Sequence, residues 1–236
     1  MQFALEPPCV HRYLNIRAKR QCSFPYTLKH PASNMNIQKA EFLSCCSDYR
    51  KCPQENLPEY AFIGRSNVGK SSLINCLCQQ NGLAKTSSSP GKTQTIVHFK
   101  VDDRWFLADL PGYGYASVGK KQREQWQKMT RDYLLRRPNL FCVFVLVDLR
   151  IPPQKIDLEF LQFLGENELP LCVIGTKADK LGKMALESSA EAIKAALGEM
   201  WEPLPPFILS SSETGLGREE ILDFIDKANK TAASQG

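Results

Sequence analysis

No apolar run in this chain of 236 residues approaches the ~18 residues that would span a bilayer, and no secretory apolar core is visible near its start. A membrane-spanning or exported protein is therefore not expected. Internal repeats are missing as well, which leaves one folded domain as the expectation. Histidine is scarce: His11, His30 and His98 are scattered. Among nine cysteines, Cys45, Cys46 and Cys52 have neither a second C-x-x-C nor a histidine at ligand spacing, so no zinc site and no disulfide framework are expected. Cys142 and Cys172 sit inside apolar runs and read as small core residues, while Cys76 and Cys78 are two apart on a helix, where neighbours do not share a face. Free thiols point to a reducing compartment, and the expected location is the cytoplasm. Acidic residues are nearly missing from residues 1–34, where five Arg and Lys face the single acid Glu6. Three readings of that segment stay open: translation starting at Met35, an organellar transit peptide, poor in serine with only Ser23 and Ser33, or a basic disordered arm.

What is present is a phosphate loop. Gly64-Arg65-Ser66-Asn67-Val68-Gly69-Lys70-Ser71 has the form G-x-x-x-x-G-K-S and follows the apolar run Tyr60-Ala61-Phe62-Ile63. Its glycines let the backbone wrap a polyphosphate, and its amides point inward. Lys70 reaches the β and γ oxygens, and the Ser71 hydroxyl can sit on a magnesium ion. A helix starting near Gly69 adds its positive end to the same anion.

Thr176-Lys177-Ala178-Asp179 follows the apolar run Leu171–Gly175, which puts it at the carboxyl end of a strand on the same rim. An aspartate there can accept from the N1–H and the exocyclic amine of guanine. Adenine offers no such pair, so the wrong base would leave the carboxylate unpaired. The Lys177 stem would cover the base, and Ser211-Ser212-Glu213 would present a backbone N–H to the guanine O6. Between these lie segments suited to a γ-phosphate. Asp109-Leu110-Pro111-Gly112 ends the run Trp105–Ala108; its aspartate can hold magnesium through water and its Gly112 amide can bond the phosphate. Pro90-Gly91-Lys92-Thr93-Gln94-Thr95 offers a hydroxyl for the metal, Thr93 first and Thr95 as the alternative.

Apolar runs centred on residues 61, 97, 107, 145, 173 and 208 alternate with helical patterns over about 71–80, 120–136, 157–165, 185–197 and 218–229. The runs near 97 and 107, separated by Asp102-Asp103, should pair as an antiparallel edge hairpin. The expectation is an α/β fold with a mostly parallel six-stranded sheet, helices on both faces and the ligand at the carboxyl ends of the strands. The domain is expected over 35–229, with a frayed tail over 230–236.

The series GRSNVGKSSLIN (64–75), PGKTQT (90–95), DLPGYGYA (109–116), TKAD (176–179) and Ser211-Ser212 resembles the EngB-type ribosome-biogenesis GTPases. The resemblance runs from about residue 35 to the end and includes Asn36-Ile37, Ala40-Glu41-Phe42, Pro58–Gly64 and Asp148-Leu149-Arg150. It implies a P-loop NTPase of the Ras-like GTPase class, with GTP as substrate, Mg²⁺ held through Ser71 and Thr93, and Lys70, Thr93 and Gly112 at the reacting phosphate. It also implies a role in late assembly of the large ribosomal subunit and a requirement in septation. The implied partners are GTP or GDP and large-subunit precursors, both ribosomal RNA and proteins, with no DNA, and the implied state is a monomer. Two positions depart from a generic guanine-nucleotide switch: Thr176 where Asn is commoner, and Tyr113 where some relatives carry a water-orienting Gln. The second implies slow intrinsic hydrolysis. Some switches with asparagine at the place of Asn67 use K⁺ as an activator; the other reading of Asn67 is a loop stabilised by a backbone hydrogen bond.

The formal charge is +5, and from Lys120 to Arg137 seven basic residues stand against Glu124 and Asp132. A Glu124–Lys128 pair on a solvated face is one reading; an RNA-facing patch beside the switch is favoured. The function expected is a GTP-hydrolysing switch in ribosome assembly. The competing class is a GTP-dependent binding module of the division machinery with negligible turnover, and an ATPase is opposed by Asp179.

Overall fold

The computed structural model describes residues 35–85, 95–113 and 120–233. Strand β2 (Glu59–Gly64) is buried along its whole length, as a strand covered on both faces must be. Its side chains alternate: Tyr60 and Phe62 enter one apolar cluster, Ala61 and Ile63 the other. β5 (Leu140–Asp148) repeats the alternation, with Phe144 and Leu146 on one face and Val143, Val145 and Val147 on the other. Each fully buried large side chain in these layers contributes roughly 1.5–3 kcal/mol of transfer free energy.

The remaining strands are β1 (Ala40–Cys46), β3 (Ile96–Val101), β4 (Trp105–Asp109), β6 (Leu171–Thr176) and β7 (Phe207–Leu209), in sheet order β1-β3-β4-β2-β5-β6-β7. The pairings β4–β2, β2–β5, β5–β6 and β6–β7 are parallel; β1–β3 and β3–β4 are antiparallel. Helices α1 (Lys70–Cys78) and α5 (Arg218–Ala233) cover one face, while α2 (Lys120–Arg136), α3 (Lys155–Glu166) and α4 (Lys183–Gly198) cover the other. The Ras-like α/β architecture is as expected. β2 lies between β4 and β5, so the chain leaves it at the point where strand order reverses, and the crevice there is the natural ligand position.

Three expectations need correction. Among the described residues the sheet has seven strands rather than six, because β1 adds to the hairpin. β1 shows no alternation: among the described residues it pairs with β3 alone, carries a bulge between Phe42 and Ser44, and leaves Phe42 and Leu43 exposed. The hairpin itself forms, with Asp102 (φ 47°) and Asp103 (φ 53°) left-handed in its turn and Arg104 N donating to Val101 O at 2.9 Å. It is not at the edge, and Asp102 Oδ1 holds the incoming chain by accepting from Gln38 N at 2.9 Å and Lys39 N at 2.8 Å. Finally, α5 runs on to Ala233, past the expected end at 229. Its last turns are supported by ion pairs of Lys227 with Asp223 and of Lys230 with Asp226, each four residues apart. Among the described residues no helix is long and apolar enough to cross a membrane.

Candidate nucleotide site

The loop from Gly64 to Ser71 bridges the end of β2 and the start of α1. Gly64 permits a close approach: a Cβ there would lie 2.8 Å from Leu146 O and 2.9 Å from Val68 Cγ1. Asn67 (φ 61°) and Gly69 (φ 105°) both turn left-handed, conformations that asparagine and glycine tolerate best. Gly69 is the residue before α1 and supplies no side chain to cap the first turn. The helix therefore presents backbone N–H groups and the positive end of its dipole to the loop. Arg65, Ser66 and Ser71 are partly buried and Val68 packs into the core.

Lys70 Nζ makes an ion pair with Asp109 Oδ1 at the end of β4. Burial pushes the Lys70 ammonium down to about 7; the aspartate beside it opposes that shift by favouring the charged form. Asp109 begins the second segment. Leu110 N donates to Phe62 O at 3.0 Å, which pins this segment to β2, and Leu110 and Pro111 are buried while Gly112 is half-buried. Tyr113 makes a bridge to Arg65, stacks on Phe160 with ring centroids 4.6 Å apart, and donates from its hydroxyl to Asp157 Oδ1 at 2.9 Å.

The third segment comes from the end of β6 and is tied to the first. Thr176 Oγ1 lies 2.7 Å from Val68 O and 3.1 Å from Val147 O, so its single hydroxyl proton serves two carbonyls. Lys177 (φ 63°) sends its stem over Gly69, and its Nζ donates to Asn67 O at 2.6 Å and Asp148 Oδ2 at 2.9 Å. Asp148 also accepts from Arg150 N and Nε at 3.0 Å and from Nη2 at 2.9 Å. Burial works against the Asp148 charge, but hydrogen bonds from Arg150 and Lys177 hold the carboxyl down at about 2.

Ala178 is buried in the short turn after Lys177, its N–H on Ser210 O at 3.1 Å. Asp179 Oδ1 accepts from Ser211 Oγ at 2.7 Å and Oδ2 pairs with Lys180 at 2.8 Å; the hydrogen bonds from Lys180 and Ser211 lower its pKa. The Ser211 hydroxyl in turn accepts from Glu213 N and Thr214 N at 3.2 Å, and Ser211 N donates to Leu216 O at 3.1 Å.

The structure thus brings Gly64–Ser71, Asp109–Gly112, Thr176–Asp179 and Ser211–Glu213 to one rim of the sheet. Gly91, Lys92, Thr93 and Gln94 lie outside the described residues; Thr95 is the half-buried residue before β3. Sequence spacing gave no hint of Asp157, on α3, or of Asp148 as the partner of Lys177, since both act through contacts between distant segments. The basic run is also modified. Arg137 is buried and forks onto Glu59, with Nε 2.9 Å from Oε1 and Nη2 2.9 Å from Oε2, so it leaves the surface patch. Lys128 pairs with Asp132 at 3.9 Å rather than with Glu124. Cys76 is half-buried, and Cys78, Cys142 and Cys172 are buried; Cys142 and Cys172 sit in the core as expected.

A family model described as 50S ribosome-binding GTPase matches residues 59–177. A GTP-binding protein EngB of Porphyromonas gingivalis is 56% identical over 201 residues, 85% of this chain and 100% of that protein. The EngB of Phocaeicola vulgatus is 55% identical over 197 residues, 84% of this chain and 98% of that protein. A crystal structure of a GTP-binding protein engB superposes with a TM-score of 0.58 at 25% identity, covering 73% of this chain and 99% of that one. The elongation factor SelB of Methanococcus maripaludis, at 18% identity and a TM-score of 0.53 over 73% of this chain and 33% of its own, shares the fold. With a phosphate loop at the strand-order reversal, a T-K-x-D turn beside it and relatives matched over nearly their whole lengths, the chain belongs to the EngB family of GTP-binding proteins.

Proposed function

We propose that the chain is a GTP-hydrolysing switch acting in assembly of the large ribosomal subunit. The observation that carries the nucleotide half is the convergence of Lys70, Asp109 and Asp179 on one rim, tied together by Thr176 and Lys177. In this reading Asp179, held by Ser211, accepts from guanine. With the Ser211 and Glu213 amides engaged inside their own turn, Ser212 offers its N–H to O6. Amides from Gly64 to Ser71 and the Lys70 ammonium take the β and γ phosphates. Lys70 leaves Asp109 to do so, which frees that carboxylate at the same moment.

The donor set fits a hard divalent cation, since Ser71 and Asp109 offer oxygen only. Ser71 and Thr93 would hold Mg²⁺, with Asp109 bonded to its water; when bound, the ion neutralises charge on the β and γ oxygens. Thr93 and the Gly112 amide then respond to the γ-phosphate. Intrinsic turnover is slow in this reading, because Tyr113 is engaged by Asp157 and Phe160 and has no water-orienting amide.

The ribosomal half is supported by the description of the matching family model and by the basic stretch of α2, from Lys120 to Arg136, next to the switch. The same reading carries the requirement in cell division and septation that the family resemblance implies. Pull-down of ribosomal particles in the presence of GTP, GDP or neither tests this reading. Precursors of the large subunit are expected in the GTP arm alone, with turnover stimulated by the same particles. Equal recovery in all three arms would overturn the switch.

A further inference from the structure

Folding assembles a second cluster at the β1–β3 edge of the sheet that spacing does not reveal. Cys46 ends β1, Cys52 follows the short 3-10 turn Tyr49–Lys51, and His98 lies in β3. One ligand atom from each of the three lies within 4.8 Å of the other two, and the residues are 6%, 2% and 0% exposed. The His98 ring is the anomaly. Among the described residues its Nδ1 has no hydrogen-bond partner, while Nε2 lies 3.2 Å from Glu59 Oε2. An unpaired buried polar group costs about 1–3 kcal/mol, and such orphans in native folds commonly mark a bound water or ion.

We propose that Cys46, Cys52 and His98 form a structural zinc site. Two sulfurs and an imidazole are the donor set that zinc takes, and two thiolates balance its charge. The thiols now make weak contacts to main-chain carbonyls, Cys46 Sγ to Lys51 O at 3.1 Å and Cys52 Sγ to Asp48 O at 3.7 Å. Zinc binding displaces both thiol protons to solvent and replaces those contacts with metal bonds. Glu59 stands where a ligating histidine usually finds a carboxylate for its other nitrogen, which leaves Nδ1 for the metal. The three side chains leave the fourth tetrahedral position to a solvent oxygen. The ion would clip the turn at Asp48–Cys52 to β3, the strand that begins directly after Thr95.

The test uses the full chain, purified under reducing conditions without chelator. Elemental analysis is expected to find zinc in a one-to-one ratio, and exchange with Co²⁺ to give a sulfur-to-cobalt charge-transfer band. Cys52→Ser should abolish the band, and Cys45→Ser, at the exposed neighbour, should leave it intact. Where Cys52→Ser fails to fold, the wild-type chain decides, because added zinc should raise its melting temperature and a chelator should lower it. Folded wild-type protein that takes up neither metal would overturn the site. So would a cobalt band that survives loss of both Cys46 and Cys52, or a Cys46–Cys52 disulfide formed in its place.

Discussion

The Tyr113 hydroxyl donates to Asp157 Oδ1 at 2.9 Å, and Arg65 Nε reaches the two oxygens of the same carboxylate at 3.2 and 3.1 Å. Asp157 lies in the first turn of α3, where the helix dipole favours an anion, and its side chain is 5% exposed. Burial raises its pKa, while Tyr113 and Arg65 oppose the rise. One carboxylate therefore ties the second residue of the phosphate loop to the residue that follows Gly112. Tyr113→Phe should keep the stack on Phe160 and lose only this bond. A hydrogen bond to a charged group contributes about 1.5–3 kcal/mol, so the melting temperature should fall while kcat stays at the wild-type level. A drop in kcat of about 10²-fold or more, the size carried by general acid-base groups, would instead assign the tyrosine to the attacking water.

Thr176 makes the second link. Its hydroxyl bonds the Val68 carbonyl inside the phosphate loop, so the threonine does structural work at a place where many switches use asparagine. Thr176→Val preserves the branched shape in a buried position and leaves the Val68 and Val147 carbonyls without this donor. Stability should fall by about 1–3 kcal/mol, and GTP affinity should fall with it. Thr176→Ser should retain both. Calorimetric titration with GTP and a thermal melt of the two variants check the pair.

Asp179 should decide the base. Ser211 and Lys180 hold its carboxylate charged and oriented. Losing two hydrogen bonds to a charged acceptor, at about 1.5–3 kcal/mol each, predicts that Asp179→Asn weakens GTP by roughly 10²-fold or more. The new amide can donate to the C2 carbonyl of xanthine, so xanthosine triphosphate should bind better to this variant than to wild type. Unchanged GTP affinity would remove Asp179 from the base site.

Acid should loosen the Lys177 anchor. The Asp148 carboxyl is held at about 2 in the fold against an ordinary 3.8, so the unfolded chain binds its proton first as pH falls from neutral. This contribution is fully present above pH 3.8 and is lost as pH drops towards about 2. Its ceiling is about 2 kcal/mol, and the real value is lower because Arg150 is half exposed and screened by solvent. Denaturant melts between pH 5 and pH 2 should show a shallower decline for Asp148→Asn than for wild type.

The parts legible in the sequence were those with a local physical signature. Gly64, Gly69 and Lys70 announce a phosphate loop by chemistry and spacing, and the continuous apolar runs of β2 and β5 announce buried parallel strands. β1 was not legible, because an edge strand with a bulge and exposed Phe42 has no alternation to read. Nor was the surroundings of the site. Asp157 and Asp148 meet Arg65, Tyr113 and Lys177 only through the packing of distant elements, as His98 meets Cys46. Arg137 illustrates the same limit from the other side: a charge counted for the surface is spent on buried Glu59.

Asn67 carries the last prediction. Its left-handed φ of 61° and the bond from Lys177 to its carbonyl account for the backbone conformation, leaving the exposed side-chain amide to be explained separately. Family resemblance supplies one use for it, as a ligand of K⁺ that brings positive charge between the β and γ oxygens, where the loose transition state gathers charge. Asn67→Ala would confuse that role with backbone strain, since alanine disfavours positive φ. Asn67→Gly deletes the amide and keeps the conformation at no steric cost. Wild-type turnover is expected to rise when Na⁺ is exchanged for K⁺ at constant ionic strength, and Asn67→Gly should lose that rise with GTP affinity retained. Equal rates in both salts, with stimulation only on adding large-subunit particles, would move the missing positive charge from the phosphate loop to the ribosome.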